Sequence, residues 1–186
     1  MSVPVATGLV YEDLARLAPD ERLRHELIDG ELYVSPSPVL RHQRIVSLLV
    51  TELSLIARQT GGLALPAPTD VVLAPDTVVV PDVVWLSAAS VARLGDERFV
   101  DVVPDLLVEV SSPSTRRLDL VKKRAVYERA GVGEFWFVDL EAEQVDVYRL
   151  DASGHYGMPV SLGPGDELSA LSAPGLALPV AAVLAG

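Results

Sequence analysis

Two of the most apolar runs in this 186-residue chain each contain a single carboxylic acid. Glu109 interrupts the run LLVEV (106–110), and Asp82 interrupts the run VVVPDVVW (78–85). Runs of this composition are typical of strands that are buried on both faces. Because burying a carboxylate without a partner costs several kcal/mol, each acid must either reach solvent or meet a partner inside the protein. This requirement constrains how the two strands can lie in any fold.

The remaining pattern predicts helices and strands in a mixed order. Helical periodicity and end signals predict helices over 10–18, 39–58 and 116–130, with a shorter one over 87–95. Pro19 is expected to end the first helix, 35–38 to form a turn and 112–115 a loop. Extended runs predict strands over 24–34, 69–75, 77–86, 104–111, 134–140 and 144–150, and short extended pieces over 158–162 and 176–185.

This order of elements predicts an α/β (α+β) fold with a mixed central sheet and flanking helices. An N-terminal helix and a β-hairpin precede the core, and Asp29-Gly30 is a strong signal for the turn of that hairpin. The length suits a single domain over 1–186, with 1–9 and parts of 151–186 peripheral.

Composition excludes several classes of protein. With 49% hydrophobic residues the chain is not disordered, and no apolar run approaches the roughly 18 residues of a membrane span. The absence of cysteine excludes disulfides, thiolate zinc sites and cysteine nucleophiles. Without a basic, apolar leader at Met1-Ser2-Val3-Pro4, we expect a cytoplasmic protein. The formal net charge of -11 disfavours strong electrostatic binding of nucleic acid and is compatible with the binding of a cation.

If their strands are neighbours in the sheet, the two acids can share a partner that accounts for the burial of both. Two close carboxylates repel, and a shared proton or a shared cation relieves the repulsion. Hard divalent ions such as Mg²⁺ take oxygen ligands of this kind. The alternative is that Asp82 caps a turn and Glu109 pairs with a helix arginine, so that both acids are structural.

The helix after the second acidic strand supplies candidate cations. Alternation along that strand places Glu109 and Ser111 on one face. Lys123 shares a helical stripe with Leu120 and Tyr127, whereas Lys122 lies on another stripe. Because inward lysines usually extend to solvent, spacing favours Lys123 over Lys122 only weakly.

Several ordered segments resemble the Uma-two family, part of the restriction-endonuclease-like PD-(D/E)XK nuclease superfamily. They are ELIDGEL, SPSPVLRHQRI, VVPDVVWLS, DLLVEVSSPSTRRLDLVKKRAVYERAGVGEFWFVD and VDVYRL, with the tail PGLALPVAAVL. The resemblance runs from about Tyr11 to Leu150. It implies a restriction-endonuclease-like core and an endonuclease that uses Mg²⁺, with Mn²⁺ as a substitute, to hydrolyse phosphodiester bonds of nucleic acid. The resemblance favours DNA over RNA as the expected substrate, and a homodimer is compatible with such a fold.

The resemblance also assigns the metal ligands. Pro81-Asp82 matches the PD of the motif and Glu109 its second acid. Both would bind the metal together with the backbone carbonyl of Val110. The lysine expected two residues after the acid is replaced by Ser111.

In this family a lysine from the next helix, in the pattern Asp-x-x-x-Lys-Arg, takes that place. The pattern maps onto Asp119, Lys123 and Arg124, so Lys123 is the expected active lysine. Glu26 in the first hairpin and His42 at the start of the long helix also match family positions, with Glu31 as a second candidate acid.

Two other functions remain open at this stage. The replacement at Ser111 favours a nuclease fold retained as a binding or regulatory module with little or no catalysis. A different metal-dependent hydrolase could use the same acids on a small phosphodiester. Arg116 and Arg117 could contact a nucleic-acid backbone, although the pattern favours a solvated start of a helix for them.

Overall fold

The computed structural model describes residues 5–14, 16, 23–36, 39–95, 98–112 and 116–186. Its helices are α1 (Tyr11–Leu14), α2 (Leu40–Thr60), α3 (Ala88–Val91), a π-helical segment (Leu118–Lys123) that continues into α4 (Arg124–Ala130), and α5 (Val180–Ala185). Its strands are β1 (Leu23–Ile28), β2 (Glu31–Pro36), β3 (Leu63–Pro66), β4 (Val71–Ala74), β5 (Thr77–Val79), β6 (Val83–Leu86), β7 (Leu106–Val110), β8 (Glu134–Asp139), β9 (Gln144–Arg149), β10 (Val160–Leu162), β11 (Glu167–Leu168) and β12 (Leu178–Pro179).

The larger sheet has six strands in the order β10-β9-β8-β7-β6-β3. β7 and β8 are parallel, and the other neighbours in this sheet are antiparallel. A parallel pair requires a crossover, which the helix over 116–130 provides. Every residue of β6, β7 and β8 is buried, in keeping with their apolar sequences. The predicted mixed sheet with flanking helices is therefore confirmed.

A second sheet has the order β2-β1-β5-β4 and carries the predicted hairpin. Asp29 (φ 51°) and Gly30 (φ 75°) both adopt positive φ at the turn between β1 and β2. Two successive positive φ values are what a type I′ hairpin turn requires, which explains why Asp-Gly was the correct signal.

Two apolar cores lie on opposite faces of the six-stranded sheet. One core joins α2 and α5 to β6, β7 and β8, and includes tail residues such as Leu168 and Leu176. The other joins the helix over 116–130 to the opposite face and to side chains of the second sheet, including Ile28 and Val79. Alternation sends Leu106, Val108 and Val110 to the first core and Leu107 to the second, so Glu109 faces the second core.

Two predictions of secondary structure were wrong, and a strand was missed. The strand over 77–86 is two strands in different sheets, because Pro81 has no N–H with which to continue a ladder. The end of the tail, predicted as extended, contains α5, whose VAAVLA sequence is rich in good helix formers. β3 was not predicted at all.

Other predictions concern residues outside the described ranges. Pro19 lies there, as do parts of the predicted turn over 35–38 and loop over 112–115. The single domain over 1–186 stays a prediction. In the described part of the chain, no helix combines the length and the apolarity needed to cross a membrane.

Arg116, at the start of the crossover helix, is tied to the end of β8 by Asp139. Asp139 accepts a 2.6 Å hydrogen bond from Arg116 and bonds from the backbone N–H groups of Glu141 and Ala142. Burial would raise the pKa of Asp139, but these donors lower it below its usual value. The crossover helix therefore begins at a fixed point beside the turn between β8 and β9.

We expect Asp139→Asn to lower the melting temperature most at neutral pH. Since the pKa of Asp139 is lowered in the folded state, its carboxylate stabilises the fold above its usual pKa of about 3.9. That contribution disappears as the pH falls through the folded-state pKa. Thermal unfolding of both proteins between pH 7 and pH 3 should therefore show the difference shrinking toward acid pH. A constant difference would contradict this account.

Candidate active site

Asp82 and Glu109 lie side by side on one face of the six-stranded sheet. Val83 pairs with Val108 in the antiparallel β6–β7 ladder, and the same register one residue further places Asp82 opposite Glu109. Their exposures are only 2% and 1%, respectively. The two acids that interrupt apolar runs are therefore buried neighbours, as their sequence pattern suggested.

Asp82 is fully engaged by hydrogen-bond donors. Its Oδ1 accepts from Nη2 of Arg24 at 2.9 Å, and its Oδ2 accepts from the backbone N–H of Val110 at 2.8 Å. Nε2 of His42 lies 3.0 Å from the same Oδ2. Burial would raise the pKa of Asp82, but the His42 and Val110 contacts and the Arg24 charge lower it below its usual value. Asp82 is therefore ionised at neutral pH.

Glu109 is in a different electrostatic state. Its Oε1 accepts from Nζ of Lys123 at 3.0 Å and from the hydroxyl of Tyr127 at 2.6 Å. Burial raises the pKa of Glu109 well above its usual value, and the nearby carboxylates of Asp119 and Asp82 add to the increase against the opposing Lys123 charge. The pKa values of the two adjacent acids thus shift in opposite directions, because donors and a cation lower that of Asp82 whereas burial raises that of Glu109.

The side chain of Lys123 joins three parts of the fold. Its Nζ lies 2.7 Å from Glu26 on β1, 3.0 Å from Glu109 on β7 and 3.4 Å from Asp119 on its own helix. Burial would lower the pKa of Lys123, but the three carboxylates outweigh it and raise the pKa above its usual value. Lys123 therefore keeps its proton at neutral pH and acts as a donor rather than as a base.

Glu26 lies beside the point where the chain passes from one sheet to the other. β1 pairs with β5 through Leu27 and Val78, and this antiparallel register places Glu26 opposite Val79, one residue before Val80. Oε1 of Glu26 accepts the backbone N–H of Val80 at 2.8 Å, and Arg24 donates to the Val80 carbonyl at 3.2 Å. The hairpin thereby supplies hydrogen-bond partners to backbone that neither sheet ladder pairs.

The π-helical segment separates the two neighbouring lysines. A π turn contains about one more residue than an α turn, so residues five apart share a face. Leu118 and Lys123 are both buried, whereas Lys122 extends outward to Glu31 and to Tyr33 on β2. Lys123 therefore lies inside the site, and Lys122 does not.

His42 lies in the first turn of α2 and contacts Asp82 through Nε2. It is 4% exposed, and within the described part of the chain its Nδ1 has no hydrogen-bond partner. A buried polar atom without a partner is uncommon in proteins and is often found where a ligand or water binds.

The structure brings together all five side chains predicted for the site: Glu26, His42, Asp82, Glu109 and Lys123. Glu31, the second candidate acid, lies away from them with Lys122. Oγ of Ser111 accepts a hydrogen bond from the backbone N–H of Leu140, so the Ser111 side chain is bonded to the residue that follows β8. Val110 contributes its N–H to Asp82, and its carbonyl as a metal ligand stays a prediction.

Sequence reasoning did not select Arg24 or Tyr127, and it treated Asp119 only as part of a motif. Arg24 could have been found by alternation, because it lies two residues before Glu26 on a strand. Asp119 and Tyr127 each lie four residues from Lys123 along the helix. We use the term charged cluster for the group Arg24, Glu26, Asp82, Glu109, Asp119 and Lys123.

The charged cluster contains more acids than fixed cations. Four carboxylic acids face two cationic side chains, Arg24 and Lys123, so formal negative charge is in excess. Glu109 reduces the excess by retaining a proton to a higher pH than usual. No three side chains of His, Cys, Asp or Glu in the described ranges form a ready-made metal cage. The donor set instead suits a hard divalent cation held by few carboxylates, as Mg²⁺ commonly is.

Comparisons with known proteins give one family and one fold. The model of the Uma2 family, described as "putative restriction endonuclease", matches residues 11–181. A crystal structure of a "putative nuclease belonging to DUF820" from Anabaena variabilis shares 19% sequence identity and has a TM-score of 0.80. The match covers 95% of this chain and 97% of that chain, and at this identity it shows a common fold. No curated protein matches the chain.

We expect Lys123→Met to reduce the free energy of unfolding by about 3–5 kcal/mol, because it leaves buried carboxylates without their cation. Lys122→Met is the matched control. It removes the neighbouring lysine, whose ion pair with Glu31 is partly exposed, and should change stability much less. Urea unfolding at pH 7 measures both. Equal losses would contradict the central position assigned to Lys123.

Proposed function

Because the chain belongs to the Uma2 family, we propose that it is a Mg²⁺-dependent endonuclease that hydrolyses phosphodiester bonds of DNA. The observation that carries this proposal is the pair of adjacent buried acids, Asp82 and Glu109, with Lys123 donating to one of them. The family description and the nuclease-like fold support hydrolysis of a nucleic acid. The term restriction endonuclease supports DNA rather than RNA as the substrate.

Asp82 and Glu109 would hold the metal together with the carbonyl of Val110. The excess of carboxylates in the charged cluster supports this assignment, because a divalent cation supplies the missing positive charge. A bound Mg²⁺ polarises a phosphoryl oxygen and lowers the pKa of water. Glu26, already oriented by the N–H of Val80, would add a ligand or hold a water molecule.

Lys123 would stabilise the negative charge that develops on the phosphoryl group. Its ammonium is protonated and is held in place by carboxylates, so it needs no reorganisation when charge develops. In the reaction, oxygen of water would form a bond to phosphorus and release a proton to solvent, the bond from phosphorus to the leaving oxygen would break, and the leaving oxygen would take up a proton from solvent.

His42 would contact the scissile phosphate. Nε2 is occupied by Asp82, and the unpartnered Nδ1 is the atom that remains for a ligand. The first turn of α2, where His42 lies, also carries the positive end of a 21-residue helix. Arg41 and Arg44 flank His42 and are exposed, which suits contact with neighbouring backbone phosphates.

A catalytically weak binding module is the second candidate function. Ser111, in place of the expected lysine, is committed to Leu140, and the acids of the charged cluster are buried and already paired with cations. A protein that keeps such pairs for stability would bind nucleic acid without cutting it.

Calorimetric titration of Mn²⁺ tests the metal site without knowledge of the substrate. We expect wild-type protein to bind Mn²⁺, and Asp82→Asn and Glu109→Gln to bind it at least tenfold more weakly, a loss of about 1.4 kcal/mol. Asp139→Asn removes a buried acid outside the charged cluster and should bind as the wild type does. Equal binding by all four proteins would exclude Asp82 and Glu109 as ligands.

Cleavage assays test the reaction itself. Plasmid DNA and an RNA of matched sequence are incubated with wild type and with Lys123→Gln in Mg²⁺ or Mn²⁺, at a temperature where circular dichroism shows both proteins folded. We expect DNA cleavage by the wild type, and a rate lower by roughly 10²–10³-fold in Lys123→Gln, since the lysine stabilises transition-state charge. Metal-independent DNA binding without cleavage would favour the binding module instead.

A further inference from the structure

Arg24 is the cation that neutralises Asp82, and its contacts differ in kind from those of Lys123. Nη2 of Arg24 donates to Oδ1 of Asp82 at 2.9 Å, and Nη1 donates to the carbonyl of Val80 at 3.2 Å. Lys123 contacts the other three acids of the charged cluster and is not paired with Asp82. Each acid of the charged cluster is therefore paired with one of the two cations, and the cation paired with Asp82 is Arg24.

The two oxygens of Asp82 are not equally available to a ligand. Oδ2 accepts the N–H of Val110, which the β7 backbone fixes, and also contacts Nε2 of His42. Oδ1 is held by Arg24, a side chain at the end of a strand that retains 17% of its exposure. Oδ1 is thus the oxygen whose partner can leave without breaking the sheet.

A metal ion and the guanidinium compete for this oxygen. Two cations within bonding distance of one carboxylate oxygen repel strongly in a poorly hydrated site. A lysine could relieve the repulsion by losing its proton, but an arginine side chain remains charged in proteins. Arg24 must therefore move, and its long, partly exposed side chain can turn toward solvent without disturbing either apolar core.

We propose that Arg24 is an internal counter-cation that occupies the metal position on Asp82 and must be displaced when a divalent ion binds. Arg24 holds Oδ1 of Asp82 in the metal-free protein, and in doing so it sets how tightly the site binds metal. This inference rests on the proposed function, because it takes Asp82 as a metal ligand.

Titration of Mn²⁺ into Arg24→Gln and Arg24→Lys separates this role from a purely structural one. Arg24→Gln removes the charge and keeps a hydrogen-bond donor, so we expect Mn²⁺ binding on the order of tenfold tighter than in the wild type. Arg24→Lys keeps the charge and should remain close to the wild type. Unchanged or weaker binding by Arg24→Gln would overturn the inference.

Thermal unfolding with and without Mn²⁺ provides a second readout. Without metal, Arg24→Gln should melt below the wild type, because Asp82 loses its cation. Saturating Mn²⁺ should raise the melting temperature of Arg24→Gln more than that of the wild type, since the metal replaces the missing charge. An equal increase in both proteins would indicate a structural arginine and contradict competition.

If Arg24→Gln does not fold, the wild type remains testable by nuclear magnetic resonance of its arginine side-chain Nε–H groups. The signal that is absent in Arg24→Lys identifies Arg24. We expect saturating Mg²⁺ to shift this signal and to speed its exchange with water, and an unchanged signal would overturn the inference. Failure of the proposed function looks different: Mn²⁺ binding would then be absent, or equal in wild type and Asp82→Asn.

Discussion

The ammonium of Lys123 is the contact on which the arrangement of this protein depends. It joins the hairpin through Glu26, the central sheet through Glu109 and the crossover helix through Asp119. Each of these acids would be costly to bury alone, so hairpin, sheet and helix can pack closely only if all three meet the same cation. The second apolar core packs between the same elements, so its packing also depends on these three contacts of Lys123.

A buried group of ions is a poor way to gain stability. Apolar side chains of similar volume often stabilise a fold as well or better, because ions lose hydration when they are buried. Four acids in one place therefore suggest a use in chemistry, and the opposing pKa directions of Asp82 and Glu109 agree with that view. In the proposed enzyme, Arg24 and Lys123 stabilise the fold while no metal is bound, and Lys123 serves the reaction once the metal has displaced Arg24.

The features that the sequence pattern itself predicts share one property, which is that their unusual character is local, whereas Glu26, His42 and Lys123 were assigned from the family resemblance. Glu109 and Asp82 stand out within their own strands, and Asp29-Gly30 specifies its turn without help from distant residues. The fold class follows from the order of such elements.

What sequence analysis missed depends on distant pairing. Alternation places Arg24 on the same face of its strand as Glu26, but its contact with Asp82 depends on the pairing of β1 with β5, which periodicity cannot reveal. The π-helical segment that contains Lys122 and Lys123 was not predicted, although helical spacing and the family pattern already favour Lys123. The strand over 77–86 divides at Pro81, and its first half pairs with the distant β1 in the second sheet.

The passage of the chain between the two sheets also affects the order of folding. Arg24 and Asp82 are 58 positions apart, and Glu26 and Val80 are 54 apart. Contacts so distant in sequence form late, because the intervening chain must first lose most of its freedom. We therefore expect partly folded molecules to keep their acids hydrated until the hairpin docks. In that order of events the last docking step completes the fold and the candidate active site together.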